Sequence, residues 1–229
     1  MGTLEASKWG STVPIITVAS SKGGAGKTTI ARVLLGRAAQ SGLKAAALDA
    51  DLNHSLADWI VSISKCPVTV RAEVDETRIV PTVSELQKGH DFLVIDTAGA
   101  AAQATVFAIG CADLVLVPLK LSSSDVLEAA KTMNLVKSAA TMMGRQIPAR
   151  VVLTGYKPRT MVAAHVEKEI ANAKLPELRA RLHDLVAFEE MTFSGMVPVA
   201  GLAGLQAEAL YEETLALTAQ PKSRRKLAS

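Results

Sequence analysis

The chain has 229 residues, 49% hydrophobic and 21% charged, which suits one substantial globular domain and excludes a disordered chain. A net charge of +3 and a pI near 8.9 are too mild to declare a nucleic-acid partner by themselves. No apolar run of about eighteen residues could span a membrane, and "MGTLEASKWGSTV" lacks the basic start and apolar stretch of a secretory signal.

Residues 1–13 read as a flexible leader. "PIITVAS" (14–20) is a short β-branched apolar run and predicts a buried strand. Past a glycine loop, "KTTIARVLLGRAAQSG" puts Ile30, Val33, Leu34 and Ala38 on one helical face, with Gly42 as the stop. A strand follows at 44–50, a helix capped by Ser55 at 55–63, a strand at 67–73 and a short helix at 82–89. "DFLVIDTAG" (91–99) is an apolar strand closing on Asp96, and "AAQATVFAIGC" is helical. Then come a strand at 113–119, the longest helix at 123–144 and a strand at 149–156. "MVAAHVEKEIANA" and "LQAEALYEETLALTA" are helical, with a possible strand near "DLVAF".

This alternation predicts an α/β domain over 14–219, with a mostly parallel twisted sheet between two helical layers. Aromatics are only 3%, so the core rests on Ala, Val, Leu and Ile, as buried parallel strands allow. Cys66 and Cys111 stand far apart with no C-x-x-C pairing, and read as idle thiols in a reducing compartment. Residues 220–229 form a basic tail carrying Lys222, Arg224, Arg225 and Lys226, which alone is also what a solvated end looks like.

The chemistry gathers where strands end. In an open α/β sheet, ligands sit beyond the carboxyl ends of the strands. The first strand runs into "SSKGGAGKTT", where Gly23, Gly24 and Gly26 let the backbone curl and aim N–H groups inward, with the next helix adding its positive end. Lys27 would reach the outer phosphates of a polyphosphate, and the Thr28 hydroxyl would ligate Mg²⁺. Gly23, Gly24, Ala25, Gly26, Lys27, Thr28 and Thr29 make up the expected phosphate-contacting stretch. Asp49, Asp51 and Asp96 end neighbouring strands. One such carboxylate can hold a metal-bound water and another orient an attacking water, although an Asp at a strand end also serves as a helix cap. The expected metal set is Thr28, Asp49 and Asp96.

An ordinary phosphate loop has glycine where this chain has Ser21, and has no need of Lys22. On these residues the chain resembles the ParA/MinD family of P-loop ATPases, whose deviant Walker A loop carries this extra lysine. "DADLNHSLADW", "DFLVIDTAG" and "ADLVLVPLKLSSSDV" resemble the family's later motifs in order, so the likeness runs from about residue 14 to 200. The resemblance implies ATP and Mg²⁺ as ligands, with Lys22 crossing to the other subunit's phosphates in an ATP-dependent homodimer. It assigns Asp51 to orienting the attacking water, although Leu52-Asn53 replaces the family's Pro-Gln.

Family members divide by what the ATP dimer rests on. The last helical pattern carries Glu208, Glu212 and Glu213 and lacks the broad apolar face of a membrane-lying helix, so no membrane is expected. Non-specific DNA needs only arrayed cations, and the candidates are Lys157, Arg159, Arg179 and Arg181 together with the tail. The chain therefore resembles short plasmid-partition ATPases, cytoplasmic and nucleoid-associated, stimulated by a centromere-binding ParB-like partner. Alternatives are ParA-like positioning of a chemoreceptor cluster, microcompartment or conjugative DNA complex, a MinD-like membrane-bound division regulator, or a small-molecule ligase.

Overall fold

The computed structural model describes residues 13–99 and 103–219. Fifteen elements follow one another: β1 (Ile15–Val18), α1 (Lys27–Gln40), β2 (Ala45–Ala50), α2 (Ser55–Ser62), β3 (Val68–Ala72), α3 (Glu76–Leu86), β4 (Phe92–Thr97) and α4 (Gln103–Cys111), then β5 (Leu114–Leu119), α5 (Ser123–Met142), β6 (Ala149–Tyr156), α6 (Met161–Asn172), β7 (Leu182–His183), α7 (Val186–Ser194) and α8 (Gly201–Thr218). The strands form one seven-stranded sheet in the order β3-β2-β4-β1-β5-β6-β7, with every pairing parallel. The three-layer α/β architecture expected from the alternation is the one observed.

The four central strands β2, β4, β1 and β5 are buried along their whole length, as helices on both faces require. Their side chains alternate between layers: Ile16, Val18, Val94 and Leu116 pack with α1, α2, α7 and α8. Leu48, Leu93 and Ile95 meet α3 and α4, while Val115, Val117 and Leu153 meet α5 and α6. Pro118 sits inside β5 without breaking the sheet. Leu116 O accepts from Ala19 N, so Leu116 and Pro118 face β1, which has already ended at Val18. The missing proline N–H therefore removes no ladder bond.

Two elements depart from expectation. The possible strand near "DLVAF" is the two-residue β7 just before it, while most of that segment is helical. β7 ends at His183, and the chain enters α7 at Val186, because Phe188 and Met191 must turn inward together and the Trp59 Nε1–H donates to Met191 O. α3 begins six residues before the expected 82, since Asp75 caps it by accepting from Thr77 N at 2.9 Å. Pro81 lies inside α3 on its exposed side, and the helix runs on to Leu86. Apart from Val13, the expected leader lies outside the described residues, as does the basic tail.

Candidate nucleotide-binding site

β1 delivers the glycine loop to the carboxyl edge of the sheet, and α1 starts directly after it. Gly26 is the residue before α1, with φ of 102° and no side-chain cap, so the first N–H groups of the helix point into open space. A Cβ at Gly26 would also press on the Thr154 side chain at 3.2 Å. The space in front is a cavity of about 900 Å³. Gly23, Gly24, Gly26, Lys27, Thr28 and Thr29 line it, as do Leu182, Leu185 and Phe188 together with polar His183, Asp184 and Glu189. Such a lining offers N–H groups and a lysine to an anionic group and some apolar surface beside them.

Lys27 is 7% exposed, and burial lowers its pKa against the pull of Asp96 and Asp51. Thr28 Oγ1 donates to Asp96 Oδ2 at 2.7 Å. Burial pushes the Asp96 carboxyl up to about 7, with Asp49 and Asp51 nearby adding to the rise. Its Oδ1 is buried without a hydrogen-bond partner, an orphaned hard oxygen beside the Thr28 hydroxyl. That donor pair fits Mg²⁺, which takes one or two protein oxygens and fills its shell with water and phosphate. Among the described residues no cluster of three or more His, Cys, Asp or Glu could hold a metal alone.

Asp49 does not join that pair. It is fully buried; Oδ2 accepts from Leu56 N and Ala57 N at 2.9 and 2.8 Å, and Oδ1 accepts from Asp51 N at 3.0 Å. Its carboxylate caps α2 from the end of β2. The expected capping residue, Ser55, is instead the first residue inside the helix. Asp51 lines the cavity, and its Oδ1 accepts from Asn53 N and Nδ2 at 2.9 and 3.0 Å. The substituted Asn53 thus fixes the orientation of Asp51.

The two loop lysines go to different places. Lys22 is outside the cavity lining, and its Nζ makes an ion pair with the buried Asp125 at the start of α5. Ser21 is tied to the same helix: its N–H donates to Thr132 Oγ1 at 3.2 Å and its hydroxyl to Glu128 Oε2 at 2.6 Å. Asp125, Glu128 and Thr132 were invisible as site residues, because only packing brings α5 beside the loop.

The basic candidates divide. Arg181 stacks over Tyr156 at 4.7 Å and pairs with Glu167, so its charge is spent internally. Lys157 pairs with Asp184 at 2.9 Å and remains exposed. Arg159 and Arg179 are exposed and make no ion pair among the described residues. Lys222, Arg224, Arg225 and Lys226 lie outside the described residues. Among the described residues no helix is long and apolar enough to cross a membrane.

Fold and loop together define a P-loop ATPase of the ParA/MinD type. The fold matches that of a putative plasmid partition protein from Borrelia burgdorferi B31 bound to AMPPNP, with a TM-score of 0.72 and 16% identity over 89% of this chain and 99% of that one. Protein ParA of Rhizobium radiobacter is 34% identical over 148 residues, 64% of this chain and 66% of its own length. Protein virC1 of Rhizobium rhizogenes is 28% identical over 190 residues, 80% and 82% of the two chains. A family model for the VirC1 protein matches residues 13–217, and the chain belongs to that family.

Proposed function

We propose that this chain is a ParA-type partition ATPase, a Mg²⁺·ATP-bound homodimer that rests on DNA without sequence preference and is released when hydrolysis follows. The observation that carries this reading is the separation of the two lysines. Lys27 is buried in its own cavity, whereas Lys22 waits on the rim with 44% of its side chain exposed.

The nucleotide's phosphates take the free N–H groups of the loop and α1, and Lys27 offsets their charge. The oxygens of Thr28 and Asp96 would hold Mg²⁺, and the bound ion would supply charge neutralisation at the transferring phosphate. Asp51, oriented by Asn53, aims the attacking water from across the cavity. Two loaded subunits bring two polyphosphates face to face, and Lys22 leaves Asp125 for the opposite one. ATP thereby stabilises the dimer, and its loss dissolves it.

Arg159, Arg179 and Lys157, with the basic tail, supply the cations for DNA phosphates. A ParB-like centromere-binding partner stimulates hydrolysis, so the protein cycles between nucleoid and cytoplasm. The same cycle serves any large cargo that carries the stimulating partner.

The test is binding to random-sequence duplex DNA with ATP, with ADP and without nucleotide. Binding is expected only with ATP and should weaken as salt rises. No binding in any state would overturn the DNA-carried cycle.

A further inference from the structure

Lys120 lies within "ADLVLVPLKLSSSDV", a segment whose family likeness assigned it no role. It follows β5 directly and lines the cavity together with Gly26, Lys27, Thr154 and Gly155. Its main chain is held on both sides. The Thr154 hydroxyl lies 2.7 Å from Ala25 O and 3.4 Å from Leu119 O, joining the back of the glycine loop to the residue before Lys120. Lys120 O then accepts from Ser122 N at 2.8 Å, closing a turn ahead of α5. The backbone is fixed, yet the side chain is exposed and makes no ion pair among the described residues.

The lysines lining the cavity are therefore Lys27 and Lys120, reaching it from α1 and from β5, while Lys22 is held on Asp125 outside it. A polyphosphate carries more negative charge than a single lysine offsets. An unpartnered cation on a fixed backbone is suited to supply the remainder without a reorganisation cost.

We infer that Lys120 is a second phosphate-binding lysine of the same subunit, gripping the nucleotide's polyphosphate from the β5 side while Lys22 is still paired with Asp125. This rests on the nucleotide-binding reading above. It lets a monomer load ATP or ADP before any second subunit arrives.

The experiment is equilibrium titration of the full chain with ATP and with ADP over a series of salt concentrations. Lys120→Gln is an exposed substitution and should weaken both nucleotides by roughly tenfold, the scale of one charge-assisted contact. It should also flatten the salt dependence, and Lys120→Arg should restore most of the affinity. If the unsubstituted chain binds ATP and Lys120→Gln binds it equally well, the inference falls and the nucleotide reading stands. A loss with unchanged salt dependence would mean that packing was removed rather than charge, and overturns it. A loss for ATP alone, appearing only where the protein dimerises, would place Lys120 across the subunit boundary and overturns the same-subunit assignment. If the unsubstituted chain binds neither nucleotide, both readings fall together.

Discussion

The front and back halves of the glycine loop are only a few residues apart, yet different forces hold them. The back half, Gly26 to Thr28, is fixed by a backbone conformation closed to most residues, by Thr154 against Ala25, and by Thr28 against Asp96. The front half, Ser21 and Lys22, is fastened to α5 through Thr132, Glu128 and Asp125. The first set of contacts belongs to the resting shape of the domain. The second is an ion pair between half-exposed Lys22 and buried Asp125 together with two contacts of Ser21, all made to side chains of α5. A loop can thus keep a rigid phosphate cradle and a releasable arm within one short segment.

The sharpest way to break this comparison is at Lys27. Lys27→Ala should lower nucleotide affinity by roughly a hundredfold, the loss of charged contacts to two phosphates, in a direct titration. Undiminished affinity would remove the back half from the phosphate site. At the front, Lys22→Ala should leave ATP affinity within about threefold of the unsubstituted chain but abolish the ATP-dependent dimer measured by light scattering. A variant that still dimerises would end the division of labour between the lysines.

A third substitution addresses the tether itself. Asp125→Asn frees Lys22 at little structural cost, and the ATP concentration for half-dimerisation should fall by about fivefold, the worth of a partly exposed ion pair. A rise instead would make Asp125 a support for dimerisation rather than a restraint on it.

The smallest effect concerns Asp96. A carboxyl raised to about 7 keeps its proton in the fold at a pH where the unfolded chain has lost it. Ligand-free stability therefore falls as pH rises from about 4 towards 7, because the folded state must ionise a buried acid. Asp96→Asn should remove that slope and raise Tm by several degrees at pH 8, with little change at pH 4. Mg²⁺-dependent nucleotide binding in the unsubstituted chain should strengthen over the same pH interval, since the metal takes the carboxylate. Parallel melting curves for the two proteins across pH would contradict the buried-acid account.

Much of this was legible in the primary structure, for identifiable reasons. The phosphate loop is local: glycines, lysine and threonine announce it within ten residues, and strand–helix alternation places it at the sheet's carboxyl edge. Asp96 is legible too, because an acid closing an apolar strand is unusual. Asp49 has the same appearance, yet it caps α2; its partners Leu56 and Ala57 lie beyond a loop whose path no spacing rule gives. Lys120 and Asp125 depend on β5 lying beside β1 and on α5 lying against the loop, and those neighbours are set by topology. Arg181 looked free for DNA because Glu167 reaches it only through packing.

One consequence follows from the way α2 is fastened. Asp49 pins its first turn to the sheet, immediately beside Asp51, and Trp59, at the middle of the helix, ties it to α7 through Met191. The two anchors lie within a single turn of this eight-residue helix. Exposed Phe193 lies near the outer end of that linkage, on α7. The segment that carries Asp51 is thus joined to α7 through one turn of α2, held by the Asp49 carboxylate on one side and the Trp59 indole on the other.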